Sequence, residues 1–580
     1  MNPRSTALKE LQFDPKVPVV ILGGGVNGIG LFRELALQGV RCLLVDKSDF
    51  TAGATSKSSR MIHGGLRYLE HRELALVRES LQERNRLLDN AGHYVFPLKT
   101  TIPFFSRWNG CLRSALIFCG FNLPPRSRGS FIIGLGLWCY DFLTRKGHRL
   151  PKHQITAREE ALRSLPGLNP EITGTATYWD AMITEAERLC IEMIHDAHRA
   201  RKDCLALNYV IPQGVQGELL LLKDLIGGET FAVEPQAVVN ATGARVDATN
   251  KTLGITTAFI GGTKGSHLVL DCPDLYKALG DQMVYYQHDD GRVCIVFRFL
   301  DKIIMGSTDI PVDDPDKAAC DEKEVEYMLT AIRNVFPNIK IVREHIVFAF
   351  CGVRPLPSTK DPVTANITRS HTIHVSEPAK GRDFPVINLI GGKWTAFRSL
   401  AEQAADKLLP LIGTERRCST AQLPIGGGKD FPSTPEIRTQ WIQRVAGATQ
   451  LPETRIETLL NRYGTAAEEF AGADSTPLAT LPDYTVGEIE RIATTEHVER
   501  LADIVYRRST IGMLGNATTE SLTELSAIAG KVLGWDKERQ SLEVTRALPP
   551  KISGAPRTGA DKPGPSDWTR ILLLTRSPQQ

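Results

Sequence analysis

Runs of apolar and polar positions divide this chain into regions before any single residue stands out. "VPVVIL" (Val17 to Leu22) is short, apolar and β-branched, the pattern of a strand buried on both faces. "GGGVNG" follows at once, and "IGLFRELALQG" then repeats apolar residues at helical spacing up to Gly39, a C-cap. "VRCLLVD" (Val40 to Asp46) is a second strand, so strand, glycine turn, helix and strand make one βαβ unit. "AVVNATGARVD" (Ala237 to Asp247) and "PVINLIGGKWTAFRSLAEQAADKLL" (Pro385 to Leu409) repeat the step from apolar strand to glycine turn. Between them, "SHLVLD", "MVYYQ", "RVCIVFRFL" and "KIIMGSTDI" are short, β-rich and separated by turns, which predicts an antiparallel sheet. After "LPIGGGKDFPSTPE" (Leu423 to Glu436) the pattern turns helical, and a separate helical domain is expected over residues 424–546. The tail, residues 547–580, is rich in Pro, Gly, Ser and charge and is expected to be disordered.

Length and composition narrow the class. A chain of 580 residues exceeds one hydrophobic core. With 69 basic and 66 acidic residues the net charge is +3, which gives no reason to expect nucleic acid as a partner. The eleven cysteines form no CxxC pair, so neither a zinc site nor a disulfide framework is expected, and no metal is assigned. No signal peptide and no run of about 20 apolar residues occurs, so a cytoplasmic protein without a transmembrane helix is expected. "SALIFCGFNL" (Ser114 to Leu123) and "FIIGLGLWCYDFL" (Phe131 to Leu143) are shorter apolar segments. Arg107, Arg113, Arg145, Lys146, Arg149 and Lys152 flank them, a pattern that suits either buried helices or contact with an anionic membrane surface.

Gly23, Gly25 and Gly28 fit G-x-G-x-x-G between a strand and a helix, the dinucleotide fingerprint, with the pyrophosphate at the helix N-terminus. Asp46 ends the second strand, where a carboxylate can accept from ribose hydroxyls. This fingerprint does not choose between NAD and FAD. "SDFTAGATSKSSRMIHGGLRYLE" does, because it resembles the segment beneath the isoalloxazine ring in glycine-oxidase-like flavoproteins. More closely, "IHGGLRYLEH", "GLWCYDFL", "NATG", "KGSH", "GSTD", "GVRP", "ITRS" and "GGKWTAFRSLAE" recur in the order found in FAD-dependent glycerol-3-phosphate dehydrogenases, and the helical C-terminal part with "YRRS" is similar too.

That resemblance implies a fold: an α/β FAD-binding Rossmann-like domain (17–105, 170–255 and 352–420), an antiparallel β-rich substrate domain facing the membrane (106–169 and 256–351), and a C-terminal α-helical domain. It implies a reaction in which a polyol phosphate gives hydride to flavin N5 and a proton to a base, after which electrons pass to a quinone. It places the protein peripherally on the inner face of the cytoplasmic membrane and allows a homodimer. Thr55, Ser56, Gly64, Gly65, Gly243, Gly392, Lys393, Trp394 and Thr395 join the fingerprint as cofactor residues. Arg354 and Arg369 are the expected phosphate ligands, because guanidinium forks pair two oxygens each, and Arg67, Tyr68 and Thr308 are expected around the substrate. His267 is the first choice as base, His63 its rival, and Lys393 adds positive charge near the flavin.

Three departures from the family pattern bear on the substrate. Phe297, Arg298 and Phe299 replace an "IPW" stretch and are expected to change one wall of the pocket, with Arg298 a candidate added cation. "WDAMITEAERL" brings Thr184, Glu185, Ala186 and Glu187 where "DDARL" is usual, and Arg60 stands where Lys is usual. The leading expectation is oxidation of sn-glycerol 3-phosphate to dihydroxyacetone phosphate. The alternatives are another polyol phosphate, such as a tetritol phosphate, an oxygen-using oxidase of the same fold, and a flavin-binding protein without catalysis.

Overall fold

The computed structural model describes residues 3–69, 72–106, 129–144, 150–287, 292–358, 368–473 and 475–549. Strand β1 (Lys16–Leu22) runs into the glycine turn, helix α1 (Val26–Leu37) follows, and β2 (Cys42–Val45) returns parallel to β1. Later come β3 (Thr230–Asn240), β4 (Thr263–Leu270), helix α2 (Glu322–Val335), β5 (Ile346–Arg354), β6 (Val386–Ile390) and helix α3 (Phe397–Leu411).

β6, β3, β1, β2 and strand Leu205–Leu207 lie side by side and parallel, as a sheet covered on both faces requires. On one face, Ile29 and Leu35 of α1 and Phe397 and Ala404 of α3 pack against Val19, Ile21 and Val239. On the other, Leu11 of the N-terminal helix and Leu220 and Leu222 of a hairpin meet Val20, Leu22 and Val238. These packed layers set β1 and α1 end to end at one edge of a large cavity.

β4 lies in the second sheet between strand Lys302–Gly306 and β5, antiparallel to both. Alternate residues therefore face opposite sides. Leu268 and Leu270 join a core with Val325, Met328 and Leu329 of α2. Among the described residues the expected antiparallel sheet has one exception: strand Gln282–Gln287 runs parallel to strand Val95–Phe104. A long excursion, not a hairpin, joins those two strands, so nothing imposes antiparallel pairing.

The helices between Pro435 and Ala547 share their own core around Leu459, Tyr463, Ile489, Leu501 and Leu522. Buried ion pairs tie them to the nucleotide side: Asp49 accepts from Arg507 and Arg508, and Arg188 pairs with Glu496 at 2.9 Å. Among the described residues no helix is long and apolar enough to cross a membrane. The segment 107–128 and the tail beyond 549, singled out above, lie outside the described residues, as do Arg145, Lys146 and Arg149.

Candidate active site

One cavity of about 1450 Å³ runs from the glycine turn after β1 to the ends of β4 and β5. It exceeds the roughly 300–1,000 Å³ of a drug-sized ligand pocket, as a site for a dinucleotide with a second small molecule must.

At the nucleotide end, Gly23 has φ +110, and a Cβ there would lie 2.6 Å from the Ala241 carbonyl oxygen. A Cβ on Gly28 would lie 1.9 Å from the Gly23 carbonyl oxygen, so Gly28 lets α1 close onto β1 without itself lining the cavity. Gly25 is the N-cap of α1. Thr55 supplies the missing cap, its Oγ1 accepting from the Val26 N–H at 2.9 Å. Asp46 lines the cavity while its carboxylate accepts from the N–H groups of Gly24 and Ser48, both at 2.7 Å. Burial pushes the Asp46 carboxyl up to about 6, against those two bonds. Ser56 is buried, gives its hydroxyl to the Gly53 carbonyl oxygen and does not line the cavity.

Further in, Gly65, Gly243, Gly392 and Trp394 line the cavity. Gly64 does not; its N–H is taken by the Tyr140 hydroxyl at 3.0 Å and by Asp180 at 3.1 Å. Thr395 Oγ1 accepts from the His63 N–H at 3.2 Å. Lys393 donates to the His63 carbonyl oxygen at 3.1 Å and to Ser80 Oγ at 2.9 Å, with its ammonium 5.0 Å from the Tyr68 ring centre. Burial lowers the Lys393 ammonium to about 7, and Asp180 works against that fall. The His63 and Tyr68 rings lie 6.5 Å apart on this wall. The side chain of Arg67 lies outside the described residues.

At the far end, Arg354 donates to Asp309 at 3.1 Å, to Ser307 Oγ at 3.0 Å and to the Thr308 carbonyl oxygen at 3.2 Å. Gly265 makes room for this fork, since a Cβ there would sit 2.2 Å from the guanidinium. Arg369 lies 3.8 Å from the other Asp309 oxygen. His267 is buried, stacked on Phe350 at 4.9 Å, with Nε2 2.9 Å from Ser59 Oγ. Burial, then the Arg354 and Arg60 charges, lowers the imidazole to about 3, so it is neutral at physiological pH. The Thr308 hydroxyl is turned from the cavity toward Glu324, at 2.5 Å.

Two expectations about the departures are corrected. Phe297 and Phe299 do not form a pocket wall: they are buried in a core with Val269 and Met283. Arg298 lies on the opposite side of its strand, over the Tyr276 ring at 4.2 Å, and adds no cation to the cavity. The strand touches the cavity at Val293 and Ile295 and has passed it by Phe297. The other two departures meet each other. Arg60 donates to both carboxylate oxygens of Glu187, each at 2.6 Å, in the interior behind Ser59 and His267.

Asp309 of "GSTD", expected beside Thr308, lines the cavity, whereas Ser59 and Lys57 were missed from the sequence. Lys57 lines the cavity with no described acidic partner, and burial lowers its ammonium to about 8. A single lysine in an otherwise small-residue stretch, "ATSKSSR", was the available signal.

The site fits a flavin dinucleotide. The Gly23 and Gly28 cradle admits no side chain, and two buried polar atoms on the cavity wall, Asn27 Oδ1 and Trp394 Nε1, have no partner among the described residues. A family model described as FAD dependent oxidoreductase matches residues 18–396, and one described as the C-terminal domain of alpha-glycerophosphate oxidase matches residues 418–540. The fold and site thus define an FAD-dependent oxidoreductase. A glycerol-3-phosphate dehydrogenase from Synechocystis sp. is 32% identical over 560 residues, spanning 91% of this chain and 95% of its own. The chain belongs to the glycerol-3-phosphate dehydrogenase family. A D-erythritol 1-phosphate dehydrogenase from Brucella abortus is 27% identical over 507 residues, spanning 84% of this chain and 93% of its own. The solved structure of a glycerol-3-phosphate dehydrogenase from Bacillus halodurans, complexed with FAD, shares the fold with a TM-score of 0.71 at 19% identity, over 94% of this chain and 96% of that one.

Proposed function

We propose that the protein oxidises sn-glycerol 3-phosphate to dihydroxyacetone phosphate and delivers the electrons to a quinone. The observation that carries this reading is that one cavity gathers Arg354, Arg369, Lys393 and His267 beyond a dinucleotide cradle.

Gly23, Gly25, Asn27, Thr55, Gly65, Gly243 and the Gly392–Thr395 turn would hold FAD, which would supply a two-electron acceptor for the hydride of the carbinol carbon. Arg354 and Arg369 bind the phosphate, with bidentate pairing setting its orientation. Arg354 is already held by three bonds to the Ser307–Asp309 turn, so it loses little freedom when the anion arrives. His267 takes the hydroxyl proton. Its neutral form is the accepting form, and a phosphate dianion beside Arg354 offsets the positive field that depresses its basicity. Lys393, between His63, Ser80 and Tyr68, brings positive charge to the wall beside Gly65. Tyr68 and His63 close that wall against water.

The acceptor assignment draws on helix Ser130–Thr144. Phe131, Leu135, Trp138 and Phe142 are each more than half exposed and fall at helical spacing on one face, while Ile133, Leu137 and Tyr140 are buried. Such a face suits the interfacial layer of a membrane, where a quinone is met. Turnover with a soluble quinone analogue should release dihydroxyacetone phosphate and consume no oxygen; stoichiometric peroxide instead would assign an oxidase.

A tetritol phosphate is the second reading, favoured by the likeness to the Brucella enzyme. It needs the same phosphate fork and the same base with a longer carbon chain.

A further inference from the structure

We infer that Glu324, outside the cavity, is the positioning residue that aims the Arg354 fork; this rests on the proposed phosphate role of Arg354. Glu324 is the third residue of α2 and closes a capping box: its N–H donates to Asp321 Oδ1 and its Oε2 accepts from the Asp321 N–H, both at 3.0 Å. A helix start explains no more than that one acceptor bond. Glu324 makes three others. Oε2 also accepts from Lys264 Nζ at 2.7 Å, and Oε1 accepts from Thr308 Oγ1 at 2.5 Å and from Ser266 Oγ at 2.9 Å. An ionised carboxylate has about four lone-pair sites, and all are filled here, from α2, β4 and the turn after strand Lys302–Gly306.

The arrangement has a direction. On β4, Lys264 and Ser266 face Glu324, while Gly265 and His267 face the cavity. Thr308 spans the two sides. Its hydroxyl donates to Glu324 and accepts from the Ser266 N–H at 2.9 Å, while its carbonyl oxygen and its neighbours Ser307 and Asp309 take the bonds of Arg354. Glu324 thereby fixes the turn that fixes the fork. Lys264 neutralises the carboxylate at close range, so Glu324 acts through geometry and not through its field.

Three substitutions test this. Thr308→Val removes the bridging hydroxyl at nearly constant volume, and Thr308→Ser restores it. Glu324→Gln can keep its carbonyl oxygen on Lys264 and Asp321 only by turning its N–H₂ to Thr308 and Ser266, so the Thr308 hydroxyl loses its acceptor. Each variant is purified with its flavin, and the rate of anaerobic flavin reduction is followed against glycerol 3-phosphate concentration. Thr308→Val and Glu324→Gln should need about tenfold more substrate for half-saturation, with the limiting rate and the FAD content kept, and Thr308→Ser should match the parent. Thr308→Val uncovers no charge, so it keeps the test open if Glu324→Gln does not fold. Flavin-loaded variants that saturate at the parent's concentration would overturn the inference. If the parent itself is not reduced by glycerol 3-phosphate, the substrate reading fails, and the inference is decided by inorganic phosphate. Phosphate perturbing the flavin spectrum at about tenfold higher concentration in Thr308→Val than in the parent supports it, and equal concentrations overturn it.

Discussion

Arg354 enters the cavity with three hydrogen bonds already made, and Lys393 enters with its ammonium lowered to about 7 by burial. The two cations should therefore fail differently. Replacing Arg354 with Ala removes paired charge-assisted bonds and should raise KM by about one to two orders of magnitude while FAD stays bound. An unchanged KM would mean that the phosphate binds elsewhere. Lys393 titrates within the working range. Its charged form prevails below about 7, so the part of kcat/KM that depends on that charge falls as pH rises through that value. Lys393→Met should be slower at pH 6 and should lose that limb, bringing the two enzymes together at high pH. His267, lowered to about 3, gives no rising limb near neutrality. A limb near pH 6.5 that vanishes in His267→Asn would keep His267 as the base but contradict its lowered basicity.

Elements set where these residues meet. The turn between β1 and α1 works because Gly28 has no Cβ to strike the Gly23 carbonyl oxygen, so Gly28→Ala should yield folded but colourless protein. Retained yellow colour would show that the turn yields. Helix Ser130–Thr144 is a second such element, linked to the flavin side by Tyr140, whose hydroxyl accepts from the Gly64 N–H and donates to Asp180 at 2.7 Å. Trp138→Ser with Phe142→Ser should reduce sedimentation with anionic vesicles by about tenfold or more, from the apolar area lost. Equal sedimentation would remove this face from the membrane reading. Much at this scale was legible in the sequence. Strand, glycine turn and helix have different periods, so the βαβ unit could be read directly from residues 17–46. The roles of Phe297 and Arg298 could not, because alternation along a strand does not say where the strand leaves a cavity. Arg60 and Glu187 are likewise readable only as separate oddities. Their pairing across 127 residues of sequence is a property of the fold.

Over the whole molecule, buried ion pairs join the C-terminal helices to the cofactor side. Asp49, three residues beyond Asp46, accepts from Arg507 and Arg508. Burial alone would raise the Asp49 carboxyl, but the Arg508 and Arg507 guanidiniums bring it down to about 2. Its folded value lies below the unfolded 3.8, so its stabilisation is present above 3.8 and is lost as pH falls through about 2. Asp49→Ala strips the buried Arg508 of its carboxylate, while Arg507 keeps Asp503, and should cost about 3–5 kcal/mol. Thermal unfolding at neutral pH reads that loss, and an unchanged Tm would show that the seam is held by other contacts. Central to the whole molecule is one cavity proposed to serve a flavin and a phosphorylated polyol together. Anaerobic mixing of the FAD-loaded protein with a panel of polyol phosphates tests this most directly. sn-Glycerol 3-phosphate should bleach the flavin, while glycerol without phosphate should not. Bleaching only by a tetritol phosphate, or by none of the panel, would contradict the glycerol 3-phosphate assignment.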